Sequence, residues 1–400
     1  GCQKQGGEPT QPTAPAPTIL PTHTPEPSPT PTPDPVGEAL AGMTVEQKAA
    51  QLLVAGIEGT EPGEDAVQAV QGYQVGGVIL FGRNVESAEQ LAALTNGLKE
   101  LNGDYTPLFL CVDQEGGRVD RMPPEVTDLP SALDFGSIAD PEARMDACFT
   151  LGQTLAAQCA AFGFNMDFAP SLDIWSNPEN TVIGDRAFGT DAATVTGAAN
   201  ETALGILSGG VIPVAKHFPG HGDTAVDSHY GLPVVDKSLE ELEELELRPF
   251  RQAIDTTCVY GTYGGDTSIP AIMVAHILLS QIDPDNPASL SPEVVTGLLR
   301  EEMGYEGVVC TDDLTMGAIS NTYGMGEAAV LAVEAGCDLL LVCHGADNLA
   351  EAHAALVEAV DSGRIPEERL DESVRRILGP QGGLWTDQRA GGGAGHRGIE

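Results

Sequence analysis

Lysine and arginine are scarce in this chain. They number 19 among 400 residues, against 59 aspartates and glutamates, and the formal net charge is -40. Nucleic acid is therefore not an expected partner, because its phosphates need cationic neutralisation. Adsorption to anionic lipid by charge is disfavoured for the same reason. Long apolar runs are missing too. No stretch of 18 apolar residues occurs, so no membrane-spanning helix is expected. The eight cysteines include no CxxC pair, which removes a zinc ribbon and a thioredoxin motif. Cys111, Cys310 and Cys343 lie in apolar runs and are expected to pack in a core. No GxGxxG opens the first helix and no GxxxxGK[ST] occurs, so nucleotide binding has no support.

What is present begins with Gly1-Cys2, which resembles the end of a bacterial lipobox. From Glu8 to Val36 the chain is almost wholly Pro, Thr, Ala, Ser and Glu. Such a segment cannot bury a core and favours extended polyproline conformations. At ~3.1 Å per residue it would reach roughly 80–90 Å. The expectation for 1–36 is a lipid anchor on Cys2 followed by a disordered stalk. That would hold the folded part at the extracellular face of a bacterial cell membrane. The last residues, 381–400, are Gly-rich and are expected to be disordered, with no second domain after Leu378.

Between them, eight apolar runs recur at regular intervals: Leu52–Ile57, Val75–Phe81, Leu108–Val112, Asn165–Ala169, Val211–Ala215, Ala271–His276, Gly307–Cys310 and Leu339–Cys343. Helix-like stretches separate them, at Ser87–Leu101, Ala143–Phe162, Asp191–Leu207, Ser238–Ile254, Ser291–Met303 and Gly326–Ala335. Thr44 with Gln47, and Ser238 with Glu241, read as capping boxes. Eight strands alternating with helices predict an α/β fold with a parallel sheet. The strand count favours one TIM-like (β/α)8 barrel over 37–380, with a doubly wound open sheet as the alternative.

In a barrel the chemistry gathers where strands end. Asp113, Glu115, Arg118 and Arg121 follow the third strand, and Asp173 and Arg186 follow the fourth. The fifth runs into Lys216-His217-Phe218-Pro219-Gly220-His221-Gly222-Asp223-Thr224-Ala225-Val226-Asp227-Ser228-His229. The sixth ends at His276, the seventh at Asp312-Asp313, and His344 follows the eighth. A mouth lined by carboxylates, cations and imidazoles suits a small, hydroxyl-rich ligand held by charge-assisted hydrogen bonds. His217, His221, Asp223, Asp227 and His229 offer metal ligands, but their spacing matches no standard zinc pattern. No metal and no cofactor is expected.

The run from Lys216 to Gly222, followed by Asp227-Ser228-His229, resembles the signature of the β-N-acetylhexosaminidase branch of glycoside hydrolase family 3. So do Asp113-x-Glu115-Gly116-Gly117-Arg118-Val119-x-Arg121, Val182-Ile183-Gly184-Asp185-Arg186-x-Phe188-Gly189 and Thr311-Asp312-Asp313-Leu314-x-Met316. The resemblance implies a TIM-like barrel acting on terminal β-linked N-acetylglucosamine in cell-wall or chitin-type oligosaccharides, as a monomer. It implies Asp312 as nucleophile and His229, held by Asp227, as general acid/base. It further implies that Asp113, Arg121, Arg186, Lys216 and His217 hold the sugar. The alternatives are a β-glucosidase, a surface sugar-binding lipoprotein without turnover, and a phosphorylase. For the last, a neutral imidazole would not repel phosphate, and Lys216 and Arg186 would attract it.

Overall fold

The computed structural model describes residues 33–255, 258–259 and 266–378. The anchor-and-stalk segment, apart from residues 33–36, and the Gly-rich tail lie outside them. Eight short strands form one parallel sheet: β1 Leu53–Gly56, β2 Gly77–Leu80, β3 Phe109–Val112, β4 Met166–Asp167, β5 Ile212–Phe218, β6 Ala271–Val274, β7 Val308–Thr311 and β8 Leu340–Val342. Each pairs with its neighbour in chain order, and β1 pairs with β8 through Leu53–Leu340, Val54–Leu341 and Ala55–Val342. A parallel bridge between Cys310 and Leu339 joins the β7 edge to the approach to β8 and closes the ring. The architecture is the expected (β/α)8 barrel. Strands covered on both faces must be apolar throughout, which is why continuous short runs marked all eight.

Helices wrap the barrel at Ala88–Asn102, Pro141–Ala161, Ala192–Ser208, Met325–Ala335, Ala346–Asp361 and Glu367–Leu378. None among the described residues is long and apolar enough to cross a membrane. Both capping boxes form: Thr44 accepts from the Gln47 amide and Ser238 from the Glu241 amide. Cys111, Cys310 and Cys343 are buried free thiols, as are Cys148, Cys159 and Cys337. The last helix is clamped by Asp338, fully buried between β7 and β8. Its carboxylate accepts from Arg300 (2.6 Å), Arg376 (3.1 Å), Ser373 Oγ (2.7 Å) and the Val309 amide (2.9 Å).

Two elements differ from the sequence reading. The helix expected over Ser238–Ile254 is two, Leu239–Glu244 and Arg248–Asp255. The break turns Glu246 inward, where it pairs with Lys237 and packs against Gly220. The fifth strand, expected to end at Lys216-His217, runs one residue further, through Phe218. Charged residues stop an apolar run in a sequence, yet Lys216 and His217 remain in this strand because each has a buried partner. The β5–β6 register shifts between Ala215 and Phe218. Such irregularities re-aim side chains beside functional sites.

Candidate active site

The site is built from the carboxyl ends of β3, β4, β5 and β7. After β3, Gly116 and Gly117 adopt φ of 84° and 57°, values that only glycine holds without cost. This turn sets Glu115 inward and Arg118 outward. Arg118 pairs with Asp185 at 2.8 Å and donates to the carbonyls of Thr181, Val182 and Ile183, fixing the loop that carries Arg186. Arg186 meets Glu115 through two parallel bonds of 3.0 and 2.8 Å. Lys216, only 2% exposed, reaches Glu115 Oε1 at 2.6 Å and Asp113 Oδ1 at 2.8 Å. Burial would push the Glu115 carboxyl up, but Arg186 and Lys216 outweigh it and hold the group well below its usual range.

On β5, His217 Nδ1 lies 2.6 Å from Asp173 Oδ2, and the His221 amide donates to Asp173 Oδ1 at 2.7 Å. Burial disfavours an ionised Asp173, yet the His217 and His221 groups prevail and keep it well below the usual carboxylate range. His217 Nδ1 therefore donates, and its other nitrogen is left for a ligand. His221 does not line up as a second acid. It sits between Thr224 Oγ1 (2.7 Å) and Ser228 Oγ (3.2 Å), and burial pushes its imidazole down, towards the neutral form.

The loop then carries the Asp227–His229 pair. His229 Nδ1 and its amide lie 2.8 and 2.9 Å from Asp227 Oδ1. The loop is pinned to the turn beyond β7: Gly317 donates to the His229 carbonyl at 3.1 Å and Ala318 to the Ser228 carbonyl at 3.0 Å. Gly317 has to be glycine there, because a Cβ would stand 2.6 Å from that carbonyl oxygen.

At the end of β7 the two aspartates have different surroundings. Asp313 is occupied by the protein. Its carboxylate accepts from Thr315 N (2.9 Å), Thr315 Oγ1 (2.6 Å) and Cys343 N (3.1 Å). Asp312 accepts, among the described residues, from the Asp313 amide alone, at 2.8 Å. Burial acts against its ionisation, but His276, His217, the Asp313 amide and Lys216 outweigh that effect and hold it below its usual range. An anionic carboxylate with unused lone pairs is what a nucleophile requires.

Asp113, Arg121, Arg186, Lys216, His217, His229 and Asp312 line one cavity of about 210 Å³. Asp227 stands behind His229. His276 is not at the mouth. It is fully buried and braces the β7 turn, between Ser289 Oγ (2.7 Å) and the Asp313 carbonyl (2.8 Å). His344 lies at the rim, stacked on Phe81. The described residues hold no cluster of three or more groups arranged for a metal ion.

The family model described as "Glycosyl hydrolase family 3 N terminal domain" matches residues 44–379. This chain belongs to glycosyl hydrolase family 3. It is 40% identical over 287 residues to a beta-hexosaminidase of Methylococcus capsulatus, covering 72% of this chain and 80% of that one. It is 36% identical over 308 residues to a beta-hexosaminidase of Nitrosomonas eutropha, covering 76% and 84%. Among solved structures, a family 3 beta-N-acetylglucosaminidase from Paenibacillus superposes with a TM-score of 0.80 at 42% identity. That match covers 90% of this chain and 65% of the Paenibacillus chain.

Within this family 3 site, Lys216 and Arg186, named in the sequence reading as groups that would attract phosphate, are ion-paired with Asp113 and Glu115. Arg121 lines the cavity with no ion pair among the described residues. Glu115 pairs with both Arg186 and Lys216, and Asp173 bonds His217, although the sequence reading gave neither carboxylate a role. Glu115→Ala is expected to strand Arg186 and leave Lys216 with Asp113 alone. It should destabilise the fold by about 3–5 kcal/mol, measured by urea denaturation. A loss under about 1 kcal/mol would mean the network is solvent-screened.

Proposed function

We propose that this chain is a retaining exo-β-N-acetylhexosaminidase that removes terminal non-reducing β-linked N-acetylglucosamine from cell-wall or chitin-type oligosaccharides. The observation that carries this reading is that Asp312 and His229 line one cavity with Lys216, Arg186 and His217, each of which is fixed by a carboxylate. The names of the relatives support the sugar. At about 210 Å³ the cavity is smaller than the ~300–1,000 Å³ that drug-sized ligands occupy. One terminal sugar suits it better than an internal stretch of chain.

The Asp312 carboxylate attacks the anomeric carbon as the glycosidic C–O bond breaks, and His229 gives its proton to the departing oxygen. Asp227 holds Nδ1, so the transferred proton sits on Nε2, and its carboxylate stabilises the imidazolium before transfer. Water then attacks the glycosyl-enzyme while His229 takes up its proton. The new bond forms as the bond to Asp312 breaks, giving net retention. Asp113, Arg121, Arg186, Lys216 and His217 hold the sugar hydroxyls and the acetamido group in place.

The test is release of 4-nitrophenol from the N-acetyl-β-glucosaminide against the plain β-glucoside. We expect the first to be favoured by at least about 10²-fold in kcat/KM, because a site built around a polar substituent strongly rejects the analogue without it. Preference for the glucoside would place the chain among β-glucosidases, and binding without release would make it a sugar-binding protein. The N-terminal Cys2 and the Pro/Thr-rich segment support a lipid-anchored form at the outer face of a bacterial membrane. A Cys2→Ala precursor that stays with the membrane fraction would contradict it.

A further inference from the structure

Among the described residues, four large hydrophobic side chains are exposed: Val67, Val226, Tyr230 and Val234. Three of them fall within nine residues of chain, around the Asp227–His229 pair. Tyr230 is 81% exposed. Water-exposed aromatic rings next to a catalytic group call for an explanation, since hydrophobic patches tend to mark contact sites.

The turn geometry brings Val226 and Tyr230 to one turn. The amides of Tyr230 and Gly231 both donate to the Asp227 carbonyl, at 3.0 and 3.1 Å. This folds Val226 back, so that its Cγ1 lies 3.5 Å from where a Cβ on Gly231 would stand. Val226 and Tyr230 therefore flank the same turn. The Tyr230 backbone is fixed, its carbonyl accepting from Asn321 Nδ2 at 3.1 Å, while its ring is left to solvent. The residues on either side of His229 diverge. Ser228 lines the cavity and bonds His221, whereas Tyr230 does not line it.

We propose that Tyr230, with Val226 beside it, is the platform on which the leaving-group sugar lies, and so sets specificity on the aglycone side. The proposal rests on the hexosaminidase reading above. His229 delivers its proton to the glycosidic oxygen, so the leaving sugar has to lie beside His229. The terminal sugar fills the cavity, which places the leaving sugar on the outer side, where Tyr230 is. A pyranose presents an apolar face of C–H bonds, and an aromatic ring with a polar edge suits both that face and the surrounding water.

The experiment compares kcat/KM for the β-linked disaccharide of N-acetylglucosamine with kcat/KM for N-acetylglucosaminyl fluoride, whose leaving group carries no ring. The disaccharide-to-fluoride ratio should fall about tenfold in Tyr230→Ala and stay within about twofold of wild type in Tyr230→Phe. An unchanged ratio in Tyr230→Ala would overturn the proposal, because the loop would then act on both substrates alike. A fall as large in Tyr230→Phe would also overturn it, since the hydroxyl rather than the ring would be the contact. If the wild-type protein turns over neither substrate, the hexosaminidase reading fails and this inference falls with it.

Discussion

Asp312→Ala is expected to lower turnover by about 10⁴-fold or more while leaving the fold intact, because in the proposed mechanism it removes the nucleophile. The structural part of that expectation comes from the unequal bonding of the two aspartates. The Asp312 carboxylate accepts one intramolecular hydrogen bond, from the Asp313 amide. Its removal breaks no other hydrogen bond among the described residues. Asp313 bonds Thr315 twice and the amide of Cys343, and so links β7 to the end of β8. Asp313→Ala should therefore be the less stable variant, and circular dichroism melts of the pair will show it. Azide supplies a further check. In Asp312→Ala it can enter the vacated space, attack the anomeric carbon as the leaving group departs, and give a glycosyl azide of inverted configuration. Rescue in Asp313→Ala instead would reverse the assignment.

His229→Ala has the second large effect, and its size depends on the substrate. A sugar or alkyl leaving group departs as a poor base and needs a proton. Loss of a positioned acid costs about 10²–10⁴-fold there. An activated aryl leaving group departs unaided, so its first step should change little. The plot of log kcat/KM against leaving-group pKa should be steeper in the variant than in the wild type. Parallel plots would mean that His229 does not donate the proton. Asp227→Asn should have a smaller effect of the same kind, because it keeps the hydrogen bond to Nδ1 and removes the charge that favours the imidazolium.

The barrel was legible in the sequence because its strands have no polar face. Each apolar run from Leu52 to Cys343 overlaps one strand, and the capping boxes at Thr44 and Ser238 start helices as their spacing implied. The errors occur where tertiary partners override local pattern. The apolar run stopped at Ala215 and the strand was expected to end at Lys216-His217, yet β5 continues through Phe218, with Lys216 and His217 held by Asp113, Glu115 and Asp173 from beyond β3 and β4. The helix beginning at Leu239 breaks before Glu246, which pairs with Lys237. Neither pairing has a local signature.

The candidate site was legible only in part for the same reason. Strand ends indicated which residues would converge, but not which would pair. Glu115 and Asp173 belonged to visible motifs, and their partners lie 71 and 44 positions away. His276 shows the converse. It stands at a strand end like the residues of the cavity, but its two ring nitrogens are taken by Ser289 and the Asp313 carbonyl. Its contribution is to hold the Asp312–Asp313 turn. The cationic character ascribed to Lys216 and Arg186 also depended on pairings that sequence order does not disclose.

The most direct measurement is to trap the covalent intermediate with a fluorinated sugar that forms the glycosyl-enzyme and hydrolyses slowly, followed by proteolysis and mass spectrometry of the peptide spanning Val308 to Met316. The account predicts one sugar adduct, on Asp312. An adduct on Asp313, or an active enzyme that accumulates none on this peptide, would contradict it.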